Sequence, residues 1–212
     1  FFGRIMDCQW LVDSLDDTFV SFLKKTPEAL KKYEETVQGL LAVDLNALSG
    51  EEINADLVTQ LEKYEAEQFA LTLTLGEVKK HIVLKTPEIK EEDNAGVRVQ
   101  EIAIGYINRA TAGGARASKE DNSSDAGIGG SSKTDYYAAR AKLEKEKAGE
   151  KTCEKEIALY NLQLKELDRQ TYQKLIMAWR NMSFHRASIY TVLKLNRDKV
   201  ENPRRREYGM AL

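Results

Sequence analysis

The sequence predicts an all-α fold, an up-down four-helix bundle, on three observations. Apolar residues recur at steps of three and four through long stretches, the mark of helices that bury one face. Only 3 of the 212 residues are proline, charged residues make up 31% of the chain, and Lys, Glu, Leu and Ala dominate it, as expected of long helices. The periodic stretches are separated by short polar segments that favour turns. Nothing in the composition calls for a second core, so residues 1–212 are read as one domain.

Helix one is expected over 7–48, with Trp10, Leu11, Leu15, Phe19, Phe22 and Leu23, then Leu30, Tyr33, Val37, Leu40 and Leu41 on its stripe. Pro27 should interrupt or restart it, because the residue before a proline avoids the helical region. Ser49-Gly50 ends it, and Ser49 with Glu52 three residues on has the spacing of a capping box for helix two. That helix is expected over 51–86, with Ile53, Leu57, Leu61, Tyr64, Leu71, Leu75, Val78 and Ile82 in register and Gln68 at the one missing position. Pro87 stops it. Helix three starts at Val97 and carries Ile102, Ile104, Tyr106 and Ile107 up to Thr111. Residues 112–133 are rich in Gly, Ser, Ala and Asp, and are read as a flexible insertion that buries too little to offset its ordering entropy. A helical pattern resumes over 136–147 with Tyr137, Ala141 and Leu143. Helix four is expected over 152–201, a run of roughly 75 Å at 1.5 Å per residue. Its stripe is Ile157, Tyr160, Leu164, Leu167, Thr171, Leu175, Ala178, Met182, His185, Ile189 and Val192. Asn202-Pro203 ends it, and residues 204–212 form a tail.

Helices joined consecutively by short loops run antiparallel. The loop between helices two and three and the end of helix four must then share one end of the bundle. Ser49-Gly50 and the insertion share the other. The shared end is distinctive, because the segment P-E-I-K-E-E-D-N-A-G-V-R-V-Q (87–100) is charged, turn-forming and displayed.

Within it, the pattern I-x-x-x-x-N-x-G-V-x-V-Q-E runs through Ile89, Asn94, Gly96, Val97, Val99, Gln100 and Glu101. Further on come Glu166-Leu167-Asp168, Tyr172, Asn196, Pro203-Arg204 and Gly209-Met210, in order. These two stretches resemble the loop, last helix and tail of the 11S (REG) activators of the core proteasome. The resemblance implies a bundle that assembles into a heptameric, ring-shaped homo-oligomer and activates the proteasome without ATP, cofactor or peptidase chemistry of its own. It implies that Lys90, Glu91, Glu92, Asp93, Asn94, Ala95 and Gly96 form an activation loop pressing on the gate. It further implies that Gly209, Met210, Ala211 and Leu212 form a tail docking between outer-ring proteasome subunits. A small, apolar tail with a free carboxylate suits such a pocket, and several weak tails on one ring bind tightly through effective concentration. Asn94 and Gly96 suit a fixed tight turn, since both tolerate left-handed backbone angles.

Other features read as ordinary. The net charge of −2, from 32 basic and 34 acidic residues, argues against a nucleic-acid surface. Cys8 and Cys153 lie far apart without metal or disulfide spacing, which fits a reducing compartment, the cytoplasm or also the nucleus. No apolar stretch approaches the ~20 residues needed to span a bilayer. The opening residues lack an initiating Met, as if the sequence began inside a longer chain. His81 and His185 sit on different helices with no evident carboxylate or cysteine partner, and read as ordinary packing or surface residues. Glu91-Glu92-Asp93-Asn94 lacks the alternating ligand spacing of a calcium loop. Arg204-Arg205-Arg206 reads as a complement to the dipole of the preceding helix, and 142–156 as a solvated face with i,i+4 pairs. Gly127-Ile128-Gly129-Gly130 follows no strand, so it is no phosphate loop. No nucleophile-base pair is legible, and the chain is not expected to be an enzyme. The rival reading is a helical scaffold or membrane-bending protein, which would need a basic face that the charge balance does not supply.

Overall fold

The computed structural model describes residues 9–86, 97–112, 132–148 and 154–202, and among these all regular structure is helical. The helices are α1 (Gln9–Leu41), α2 (Ala55–Lys85), α3 (Arg98–Ala112), α4 (Lys133–Lys147), α5 (Glu154–Leu195) and α6 (Arg197–Glu201). They form four antiparallel columns, as the cross-links between helices show. Asp16 meets Lys85 while Tyr33 meets Glu67, so α2 descends beside the rising α1. Lys79 donates to Asn108 near the lower part of α2, and Lys133 reaches Glu62 higher up. Helices α3 and α4 are therefore two pieces of one rising column. Helix α5 descends: Lys165 donates to the Asn46 carbonyl, and Arg186 lies lower, against Tyr33.

The core runs the length of α2, where Leu57, Leu61, Tyr64, Leu71, Leu75, Val78 and Ile82 are all buried. Phe19, Phe22 and Val37 of α1 and Leu175, Met182, Ile189 and Leu193 of α5 close over it. Each such side chain contributes about 1.5–3 kcal/mol by leaving water. The ring of Trp179 lies between Tyr33 and Tyr64, with centroids 5.3 and 5.4 Å away. A polar belt crosses the middle: the Tyr33 hydroxyl donates to Glu67 at 2.6 Å and accepts from Arg186 Nη1 at 2.6 Å.

Local chemistry moves several expected boundaries. Helix α1 ends at Leu41, not at 48. Asp44 instead accepts from the Asn46 amide at 2.9 Å, an Asx turn that competes with helix, and Val43, Leu45 and Leu48 pack on the core from the connection. Pro27 does not interrupt α1. The Thr26 hydroxyl bonds back to the Phe22 carbonyl at 2.7 Å, and the helix continues on both sides. The expected capping box at Ser49 is not used, because Asn54 caps α2, its side chain accepting from Leu57 N at 2.9 Å. Ile53 therefore precedes the helix and is exposed. In α3 the buried stripe is Gln100, Ala103, Ile107 and Ala110, while Ile102 faces outward. In α4 the buried residues are Tyr136 and Arg140 rather than Tyr137 and Ala141. The last helix is two helices, because Asn196 (φ −117°, ψ 21°) turns its side chain back to the Val192 carbonyl.

The upper end is closed by a buried network. The Tyr136 hydroxyl donates to Asp168 at 2.8 Å, and Arg140 bridges Asp168 (3.3 Å) and the Gly50 carbonyl (3.0 Å). Gly50 has φ +71°, and a Cβ there would lie 2.6 Å from Lys165 N, so only glycine lets this connection pass α5.

Candidate functional site

Four segments build the lower end: the start of α1, the end of α2, the start of α3, and α6. Helix α2 ends cleanly. Thr86 N bonds Val83 O at 3.2 Å, its hydroxyl donates to Ile82 O at 2.8 Å, and its backbone turns extended (ψ 124°), as a residue before proline must. Lys85 in that last turn complements the helix dipole and reaches Asp16 Oδ2 at 3.1 Å. One turn higher, His81 is 2% exposed and stacked on Phe19, with centroids 4.3 Å apart and planes within 11°.

Asp16 Oδ1 lies 2.9 Å from His81 Nδ1, an electrostatic contact rather than an aligned hydrogen bond. The expectation that His81 lacks a carboxylate partner is thus corrected: antiparallel packing brings one in from α1. Burial pushes the imidazole below its ordinary pKa and outweighs Asp16, which pulls it up; Lys85 adds to the depression. His185 is buried on α5 and meets Phe184 edge-on at 5.6 Å.

Across this end, Val97 is buried and its carbonyl starts α3 by accepting from Glu101 N at 3.1 Å. Gln100 is fully buried, and its Nε2 donates to the Lys199 carbonyl of α6 at 2.7 Å. Val200 is buried beside it. The residues flanking 87–96, Thr86 and Val97, thus sit at the ends of helices that both pack against α6, which precedes the tail. The expected site residues themselves, Lys90, Glu91, Glu92, Asp93, Asn94, Ala95 and Gly96 with Gly209, Met210, Ala211 and Leu212, lie outside the described residues. So do Cys8, Cys153, Arg204-Arg205-Arg206 and most of the 112–133 insertion.

Sequence reasoning missed Asp16 and the use of Gln100. For Gln100 a signal existed: an amide interrupts the spacing Val97, Gln100, Ala103, Ile107, all of which are buried. For Asp16 none did, since its partners lie 65 and 69 positions away. Among the described residues, no group of three or more His, Cys, Asp or Glu could hold a metal ion, and no helix is long and apolar enough to cross a membrane.

The sequence pattern of the family described as proteasome activator PA28, C-terminal, matches residues 51–210 of the chain. The chain belongs to the PA28 proteasome activator family. Solved structures share the fold of this PA28-family chain. A chain of a proteasome–11S activator complex is 20% identical, covers 99% of this chain and 100% of its own length, and has a TM-score of 0.80. The 11S subunit of the Plasmodium falciparum proteasome, PA28, is 20% identical over 94% of this chain and 93% of its own, with a TM-score of 0.71. A chain from the yeast 20S proteasome in complex with the activator PA26 from Trypanosome brucei is 17% identical over 93% and 90%, with a TM-score of 0.68. No curated protein sequence matches. The scaffold and membrane reading draws no support from these likenesses.

Proposed function

We propose that this PA28-family chain activates the core proteasome without ATP: a heptameric ring docks through Gly209–Leu212 and opens the gate with the loop Lys90–Gly96. The observation that carries this reading is the convergence at the lower end, where the α3 stem of that loop is bonded to α6, at the root of the tail, through Gln100 and Lys199, and the end of α2 packs on α6 beside it. Docking and pressing can then act on one surface. The tail supplies attachment through its carboxylate and apolar body, repeated around the ring. The loop needs only to favour the open gate over the closed one, a population shift driven by differential contacts. The chain has no part in peptide-bond chemistry. The cytoplasm, and the nucleus with it, is the compartment that suits such a role.

Hydrolysis of short fluorogenic peptides by core proteasomes tests it, with binding measured alongside. Deleting Met210–Leu212 should abolish both binding and stimulation. Asn94→Val, which disfavours a left-handed backbone, should leave binding intact and remove stimulation. Binding that survives the tail deletion, or vanishes with the loop change alone, sinks the assignment.

A further inference from the structure

The amide of Gln100 is the unexpected group at the lower end. It is fully buried, in a stripe where Val97, Ala103 and Ile107 are apolar and where an apolar side chain of similar size would fill the space. A buried amide is tolerated only when hydrogen-bonded. Gln100 occupies the third position of α3, where a glutamine ordinarily reaches back to its own helix start. Here its Nε2 instead crosses to α6, at 2.7 Å from Lys199 O, and its Oε1 meets no partner among the described residues. The acceptor lies in the last turn of α6, where carbonyls have no partner within the helix. Helix α6 spans five residues and could not hold its place alone.

Position in the chain gives the bond its meaning. Gln100 lies four residues after Gly96, and Lys199 four residues before Pro203. The other stem, at the end of α2, packs on α6 without such a hydrogen bond among the described residues and is clamped to α1 through Lys85 and Asp16. We infer that Gln100 is a positioning residue for gate opening: by capping α6 from α3, it fixes the offset between the α3 stem of the activation loop and the root of the docking tail. The inference rests on the assignment of those two segments made above. A docked tail can bias the gate only if the loop is held at a defined place relative to it. A loop free to shift spreads its contacts over many positions and loses the differential between gate states.

The test is Gln100→Met, which keeps the volume and removes the donor, read in three ways on the assembled activator. Affinity for the core proteasome should stay within about twofold, while stimulation at saturating activator should fall about fivefold or more, the low end of ordinary coupling between sites. Tyr136→Phe, which removes a buried hydrogen bond at the opposite end, serves as a stability control. Its thermal midpoint should fall as in Gln100→Met, with saturating stimulation unchanged. Full stimulation by Gln100→Met at saturation overturns the inference. So does an equal loss in Tyr136→Phe, or a loss of affinity that accounts for the loss of stimulation. If Gln100→Met stays fully active while the tail deletion and Asn94→Val behave as stated, the coupling fails and the assignment stands. If the tail deletion leaves binding intact, the assignment fails and takes this inference with it.

Discussion

His81 shows how burial changes what a residue does. Its imidazole is enclosed by Phe19, with Asp16 from α1, Lys85 from its own helix and Glu201 from α6 as the charges felt there. Burial holds the folded-state pKa below the ordinary 6.5. The neutral form is therefore favoured in the folded state, and the unfolded chain binds the proton first as pH falls. This group's contribution to stability is complete above pH 6.5 and is lost as pH drops toward the lowered folded value. His81→Phe keeps an aromatic on Phe19 and removes the titration. Thermal midpoints followed from neutral to mildly acidic pH should fall more steeply for the parent chain than for the variant. Parallel curves would refute it. The sequence left His81 as a packing or surface residue; the fold decides for packing, and its charged neighbour could not be read, because Asp16 arrives from another helix.

At the scale of helices, tertiary packing overrules local preference in α1 and yields to it elsewhere. A proline inside a helix removes one backbone hydrogen bond and crowds the preceding turn, at a cost of roughly 3 kcal/mol. Helix α1 nonetheless runs unbroken through the exposed Pro27, since Phe19, Phe22, Tyr33 and Val37 on either side are buried against α2 and α5. Pro27→Ala should therefore stabilise the protein by about 2–2.6 kcal/mol, the helix gain of roughly 3 less the roughly 0.4–1 that proline removes as entropy from the unfolded chain. Thermal or denaturant unfolding checks this, and a loss of stability would show that the proline shape is needed. Asn196 behaves in the opposite way: its side chain binds the Val192 carbonyl and splits the last column, leaving α6 to be fixed by Gln100. Periodicity revealed where the columns lie, but not these ends, which depend on single hydrogen bonds from short polar side chains.

For the whole molecule, the faces that the protomer leaves open matter most. Phe69 on α2 and Phe184 on α5 are 66% and 65% exposed, and Leu73 and Met177 are more than half exposed. Large apolar groups grouped on a surface mark contact with another protein. In the proposed ring these faces meet neighbouring copies, so Phe184→Asp should shift the assembly toward single subunits and lower proteasome stimulation with it. Native mass spectrometry reads the outcome directly, and an intact ring in the variant would exclude Phe184 from the seam.

Apolar spacing and connection length in the sequence sufficed for the four columns, their antiparallel run and the placing of residues 86, 97 and 202, which flank the expected loop and tail, at one end, because both signals act locally along the chain. The family was legible too, in the run from Ile89 to Glu101 and in the tail motif, where backbone-specific residues recur in order. Tertiary structure alone decided which polar groups meet: Asp16 with His81 and Lys85, Arg140 with Asp168 and Gly50, Gln100 with Lys199. Apart from Arg140 and Asp168, 28 positions apart, these partners are separated by 65 or more positions, so nothing short of the packed helices brings their charges and dipoles together.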